Sequence, residues 1–280
     1  MTTQLTETSP RQAARIAGVG YLLLFVLAIF ANFFVRERLI DPSDAAATFA
    51  NIAESEFLFR SGVISFLIVF VLDVVIAWAL YIVFKRVSRG VSLLTAWFRL
   101  VYTVFLGVAV IFLFLVLQMV GGAEYLAAFD AGQLDAQAML LLDAFNYTWL
   151  IGLAVFGIHL MLVGYMMLAS RIAPRILGIV LAVAGAAYVI DTTAISLLAN
   201  YANYENVFLA IVAVPSVVAE LAFAVWLLRG GGVQPGSRPS SAPDDLVQAP
   251  FELNGRRHGG NDSDRGAGED RELARVELSE

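Results

Sequence analysis

Two long apolar runs joined by a short basic turn, within residues 156–191, constrain this chain more than any other feature. Each run is long enough to cross a bilayer as a helix, which takes about 20 apolar residues. Arg171, Pro174 and Arg175 lie in the turn. Proline is tolerated in the first turn of a helix, because its missing N–H would be unpaired there anyway. The stretch therefore predicts a transmembrane hairpin whose first helix ends at Ser170 and whose second begins at Pro174.

Glycines recur at a helical spacing in both runs. Gly157 and Gly164 lie in the first run, and Gly178 and Gly185 lie in the second. Each pair is separated by two helical turns, so its members share one face of the helix. Glycines spaced in this way let helix backbones approach closely. We therefore expect each helix to present a smooth face to the backbone of a neighbour.

The rest of the chain shares this apolar character. Of its 280 residues 59% are hydrophobic, and the mean hydropathy is +0.77, whereas a soluble domain is nearer half apolar. The predicted spans are residues 16–35, 57–84, 91–120, 148–169, 174–198 and 207–228. We therefore predict an all-α integral membrane protein, in which a short N-terminal segment, 1–15, precedes a six-transmembrane-helix bundle over residues 16–229.

Basic residues lie mainly on one side of the predicted bundle, and Lys and Arg collect on the cytoplasmic side of membrane proteins. Eight fall on one side: Arg11, Arg15, Lys85, Arg86, Arg89, Arg171, Arg175 and Arg229. The opposite side has three, Arg36, Arg38 and Arg60. We therefore predict that both ends of the bundle's chain, N-terminal and C-terminal, face the cytoplasm.

Three segments outside the spans have their own character. The sequence from Asp41 to Asp44 favours a helix start, and the alanine-rich piece after it is expected to lie on the membrane surface. Residues 134–145 are typical of a short amphipathic helix. Residues 230–280 are rich in glycine, proline and charged residues. They can bury little apolar surface, so they are predicted to form a disordered cytoplasmic tail.

Several classes of function find no support in the residues. The chain has no cysteine and only two histidines, His159 and His258, which argues against a metal site built from these residues. No phosphate-binding loop surrounds Lys85, the only lysine, and the metalloprotease and serine-hydrolase motifs are absent. No basic stripe with interleaved aromatic residues indicates nucleic-acid binding. We therefore expect no cofactor, no metal and no nucleic-acid partner.

Four ionisable side chains on four different spans fall at a similar depth. They are Asp73, Arg99, His159 and Glu220, and a rise of about 1.5 Å per residue places them roughly 13–18 Å from the predicted inner face. Ionisable residues inside spans are costly and usually face the bundle interior. We therefore predict a buried ion pair between Asp73 and Arg99, with His159 and Glu220 completing a polar cluster.

This cluster has more than one interpretation. It is either a functional site or a device that fixes how the helices pack, and Arg99 alone could instead extend to the interface. Two acids and one arginine leave one carboxylate without a partner, and an unpaired acid in a medium of low dielectric constant tends to take up a proton. Glu220 is predicted to be that acid and is the candidate for a proton-linked step. His159 is interpreted as a hydrogen-bonded packing residue, and Asp191, near the opposite side, as a cap.

Several segments together carry a family resemblance. They are RIAGVGYLLL in the first span, LFR at 58–60, the segment 73–81 with the later WFRL, and GIHLMLVGYMMLASRIAPRILGI across the hairpin. Over roughly residues 11–228 the chain resembles the bacterial multi-pass membrane proteins known as domain of unknown function 4386. The resemblance implies a bacterial cell membrane and six spans. It implies no activity and no catalytic residues.

Three classes of function remain open. The first is an accessory or regulatory protein that lies in the lipid bilayer and acts through a membrane protein partner or a second copy of itself. The alternative is a small-solute or proton-linked binding or transport protein that uses the cluster. The third is an intramembrane enzyme with Asp73 or Glu220 as its acid or base, for which no catalytic motif is present.

Overall fold

The computed structural model describes residues 8–170 and 172–231, and the regular structure in these ranges is helical. The helices are α1 (Pro10–Leu39), α2 (Ala45–Glu54), α3 (Glu56–Phe84), α4 (Arg89–Val120), α5 (Ala131–Ala169), α6 (Arg175–Leu197) and α7 (Glu205–Leu228). Within the described ranges, the six other than α2 are long and apolar enough to cross a membrane. The predicted six-span helical bundle is therefore confirmed. Arg171 and the predicted tail from residue 232 onward lie outside the described residues.

Capping side chains start the helices before or outside the apolar runs. α1 begins at Pro10 rather than at residue 16, because Ser9 and Gln12 form a reciprocal capping box around its first turn. Its distal part, Phe30–Arg36, is π-helical. Asp44 caps α2 by accepting a hydrogen bond from the backbone N–H of Ala47 at 2.9 Å, so the predicted helix start is confirmed.

One predicted boundary is wrong. Residues 134–145 are not a separate helix before a span at residue 148, because α5 runs unbroken for 39 residues. The residues at the expected break are Asn146, Tyr147 and Thr148, and none of them is a proline or glycine that would interrupt a helix. The first part of α5 supplies a surface against which α2 packs.

The six spanning helices form a closed ring in chain order. Each packs against the next spanning helix, and α7 returns to pack against α1. Because the chain alternates direction, one end of the ring carries the described basic residues Arg11, Arg15, Lys85, Arg86, Arg89, Arg175 and Arg229. We call this the basic end and the opposite one the distal end. The positive-inside pattern predicts that the basic end is cytoplasmic.

The contact between α5 and α6 is made through glycines. A Cβ atom added to Gly164 would lie 2.5 Å from the carbonyl oxygen of Gly178, and one added to Gly157 would meet the carbonyl oxygen of Gly185. The predicted smooth faces therefore exist, and they face each other. The two backbones approach to a distance that leaves no room for side chains.

The apolar core has two large parts, besides a small cluster formed by Met119, Leu126 and Ala138. Near the basic end, all six spanning helices contribute buried side chains, which include Tyr21, Phe156 and Phe223. Near the distal end, the buried side chains come from helices α1 to α5. Among the described residues, α6 and α7 add none to this distal part.

Candidate functional site

Arg99 lies at the centre of the ring and is completely buried, at 0% exposure. It sits on α4, three helical turns from the basic end. Its Nη2 donates to Oδ1 of Asp73 at 2.5 Å, and Asp73 on the antiparallel helix α3 is also 0% exposed. The structure therefore contains the predicted buried ion pair. Arg99 neither reaches the interface nor faces lipid.

The second terminal nitrogen of Arg99 links two further helices. Its Nη1 donates to the hydroxyl of Tyr21 on α1 at 2.6 Å and lies 3.3 Å from Nε2 of His159 on α5. His159 Nδ1 lies 2.9 Å from the carbonyl oxygen of Thr95. A carbonyl can only accept and an arginine can only donate, so these partners assign the proton to Nδ1 and leave Nε2 as the acceptor.

Aromatic rings enclose the guanidinium. Its Cζ lies 4.8 Å from the ring centre of Tyr21 and 5.3 Å from that of Phe156, within the range of cation–π attraction. Phe156 also stacks on His159, with ring centres 5.5 Å apart. We call Tyr21, Asp73, Arg99 and His159 the arginine clasp. It ties α1, α3, α4 and α5 together across the ring.

The clasp is not fully satisfied by protein groups. Among the described residues, Oδ2 of Asp73 and Nε of Arg99 are buried without a hydrogen-bond partner. A buried polar atom left unpaired costs about 1–3 kcal/mol. The charged pair is thus held in place at some cost to stability, which is a feature of functional and of structural buried charges alike.

Glu220 lies beside the clasp without joining it. The carboxyl group on α7 is close enough to Arg99 and Asp73 for their charges to interact, but Arg99 makes its hydrogen-bond contacts with the other clasp residues. Glu220 is half-buried, whereas the three predicted clasp members are fully buried. The phenol of Tyr188 on α6 is a polar neighbour of both Glu220 and Ser216. Three of the four predicted cluster residues are therefore in contact, and the fourth is adjacent and accessible.

Asp191 has a different role from the predicted one. It does not cap a helix, because α6 continues to Leu197. Its Oδ1 accepts a hydrogen bond from the hydroxyl of Tyr201 at 2.7 Å, in the connection between α6 and α7. Partial burial and this carboxylate raise the pKa of Tyr201. Asp191 therefore fastens a loop at the distal end.

Sequence reasoning missed two groups of residues. Tyr21 is not among the predicted cluster residues, because a phenol is neutral near pH 7 and the prediction rests on Asp, Glu, Arg and His side chains. Arg36 falls just beyond the predicted span 16–35, yet it lies in the π-helical part of α1. There it donates to Asn146 on α5, and its Cζ lies 4.6 Å from the ring centre of Phe145. We call Arg36, Asn146 and Phe145 the distal clasp. The sequence signal for it is an arginine that directly follows a long apolar run.

Two shallow pockets lie away from the clasp. One, of about 350 Å³, is lined in part by Arg60 and Gln118. The other, of about 330 Å³, lies along the distal part of α6 beside Val189 and Leu197. Neither is lined by a clasp residue. The clasp itself is closed, because Asp73, Arg99 and His159 are 0% exposed.

Comparison with known proteins gives a family but no activity. An uncharacterized protein of Archaeoglobus fulgidus (strain ATCC 49558 / DSM 4304 / JCM 9628 / NBRC 100126 / VC-16) is 25% identical over 170 residues, which cover 61% of this chain and 83% of the relative. No solved structure gives a significant match. The family described as Domain of unknown function (DUF4386) matches residues 16–231, as the sequence resemblance predicted. With most of the ring inside that match, this chain belongs to the DUF4386 family.

Proposed function

We propose that this protein binds a small solute, or exchanges a proton, at the centre of its helical ring. In this proposal the carboxyl group of Glu220 binds the solute or exchanges the proton, and the arginine clasp positions it. The observation that carries the proposal is the difference in burial. Asp73, Arg99 and His159 are 0% exposed, whereas Glu220 is half-buried next to them.

The clasp residues are poor candidates for binding the solute or exchanging the proton. The charges of Asp73 and Arg99 neutralise each other in direct contact, and aromatic rings cover the guanidinium. Opening such a pair would leave a buried charge without compensation, at about 3–5 kcal/mol. Glu220 can gain or lose a ligand without that cost, because none of the described basic side chains forms an ion pair with it.

The test measures ligand-dependent stabilisation in lipid nanodiscs across a broad panel of small solutes. We expect at least one solute class to raise the melting temperature of the wild-type protein, since a ligand that binds only the folded state stabilises it. Glu220→Gln should abolish that shift. Glu205→Gln is the matched control, because Glu205 is an exposed acid on the same helix.

Two results together would reject this proposal. One is the absence of any Glu220-dependent stabilisation across the panel. The other is the absence of a Glu220-dependent pH change in vesicles that contain the protein. If either effect is present and is lost only in the Glu220 variant, the proposal stands.

An accessory or regulatory role in the cell membrane is the second candidate. The observation that favours it is the closed clasp, which ties four helices together as a structural device would. In this case the protein would act through a membrane partner or a second copy of itself. If deletion of residues 230–280 and disruption of the clasp both leave cross-linked complexes in native membranes unchanged, this role loses its support.

A further inference from the structure

Helix α7 is buried over only half of its length. Its buried residues are Ser216, Ala219, Phe223, Ala224 and Leu227, and all of them follow Pro215. Residues 205–214, toward the distal end, contain no buried residue. Pro215 has no N–H to bond the carbonyl group of Ile211, so the helix is weakened at this boundary. The distal half of α7 therefore stands away from the ring that its other half completes.

The helices on either side of α7 show the same change. α1 has no buried residue between Tyr21 and Ala31, and α6 has none after Ala187. The distal part of the core is built from α1 to α5 without them. The distal parts of α1, α6 and α7 are therefore less closely packed than the parts near the basic end, and we call the region between them the crevice. Its side chains are mostly apolar, and they include the partly buried Phe208 on α7.

Oxygen atoms lie at the bottom of this crevice. Glu220 and Tyr188 are half-buried there. Ser216 is 3% exposed, and its hydroxyl is buried without a hydrogen-bond partner among the described residues. Glu220 lies fifteen residues from the start of α7 at Glu205, which is roughly 22 Å along the helix. The crevice, a loosely packed and mostly apolar region, thus ends toward the basic end at a carboxyl group and two hydroxyl groups.

We propose that this crevice binds a single-chain amphipathic amine, with its ammonium group at Glu220 and its apolar chain between α1, α6 and α7. This inference rests on the proposed function and names its ligand class. A primary ammonium has three N–H donors and no acceptor. Glu220, Tyr188 and Ser216 offer three oxygen atoms to accept them. Hydrogen bonds to a charged group are roughly twice as strong as those between neutral groups.

Depth distinguishes a free amine from the headgroup of a phospholipid. Glu220 lies nine residues before Arg229, roughly 13 Å from the basic end and well inside the bilayer. A phosphatidylethanolamine ammonium at this depth would bring its phosphate among the apolar side chains of the crevice, and burying an unpaired charge there is very costly. A long-chain amine carries no such group.

The test measures the binding of n-dodecylamine to the full-length protein in phosphatidylcholine nanodiscs, with empty nanodiscs correcting for partition into lipid. We expect saturable binding to the wild-type protein and no saturable binding of n-dodecanol, which lacks the charge. Glu220→Gln should weaken amine binding by tenfold or more, and Ser216→Ala by a few-fold. Glu220→Asp should recover part of the loss, because it keeps the carboxyl group, and Glu205→Gln should bind as the wild type does.

Each other outcome overturns the inference. Equal binding of the amine to the wild type and to Glu220→Gln removes the carboxyl group from the site. Equal binding of n-dodecanol shows an apolar groove that does not recognise the amine, and competition by phosphatidylethanolamine in the nanodisc identifies a lipid headgroup instead. Size-exclusion profiles show that each variant is folded. If the amine fails but another solute stabilises the protein through Glu220, the ligand class is wrong and the proposed function stands.

Discussion

At the scale of single residues, Arg99 holds the centre of the ring because its guanidinium is a rigid fork of donors. One side chain contacts Asp73, Tyr21 and His159 on three other helices. Counting residues along each span predicted a common height for Asp73, Arg99 and His159, and their contacts agree with it, since helical rise is nearly constant. The count could not predict that Glu220 stands apart from the other three residues. The height of a residue does not say toward which side of the helix its side chain points.

The ion pair supplies the first prediction at this scale. Asp73→Asn or Arg99→Ala should lower the free energy of unfolding by about 3–5 kcal/mol, since each leaves a buried partner uncompensated. The double variant should be no less stable than the worse single one. Thermal melts in detergent measure all three.

Arg60→Ala is the control for that series. Arg60 pairs with Glu56 on the surface, where its side chain is 54% exposed, so its loss should cost at most about 1 kcal/mol. Single clasp variants that melt at or above the wild-type temperature would show that the pair is held against stability. The clasp would then become the centre of the search for a ligand.

At the scale of helices, apolar runs predict which segments cross a membrane but not where neighbouring faces meet. The limits of α3 and α4 follow their apolar runs closely. The division of α7 at Pro215 was not predictable from hydropathy, because both halves are equally apolar in composition. Burial depends on how closely α1 and α6 pack against α7, and this is a property of three helices together.

The glycine contact between α5 and α6 gives a prediction at this scale. Gly164→Ala would place a Cβ atom 2.5 Å from the carbonyl oxygen of Gly178, so the two backbones must separate. We expect a loss of about 1–3 kcal/mol in the free energy of unfolding, as for other overpacked sites. Gly90→Ala is the matched control, since a Cβ atom there meets nothing within 4 Å. Equal melting temperatures for the two variants would contradict the tight contact.

At the scale of the whole molecule, the ring and the basic end both follow from consecutive spans that alternate in direction and are joined by short connections. Short connections place consecutive spans side by side, so chain order alone makes the ring the simplest arrangement. The closing contact of α7 with α1 is not implied by any local sequence signal. Gly18 on α1 permits this close approach, because a Cβ atom added to it would lie 2.7 Å from Cγ of Leu228 at the end of α7.

Orientation is the prediction that belongs to the whole molecule. The chain has no cysteine, so single cysteines introduced at the two ends report their side directly. We expect a membrane-impermeant maleimide to label Ser43→Cys and Ala199→Cys in intact cells. It should label Gly90→Cys, at the basic end, only after permeabilisation. The reverse pattern would place the basic end outside.

The arginine clasp also bears on how the protein is made. Tyr21, Asp73, Arg99 and His159 all lie on the first four spanning helices. Asp73 and Arg99 are on adjacent helices joined by residues 85–88. The two charges can therefore neutralise each other as a hairpin while later segments are still on the ribosome. We therefore expect an acid and a base that would each oppose insertion alone to enter the bilayer as a pair, and the last two helices to pack against a centre that is already assembled.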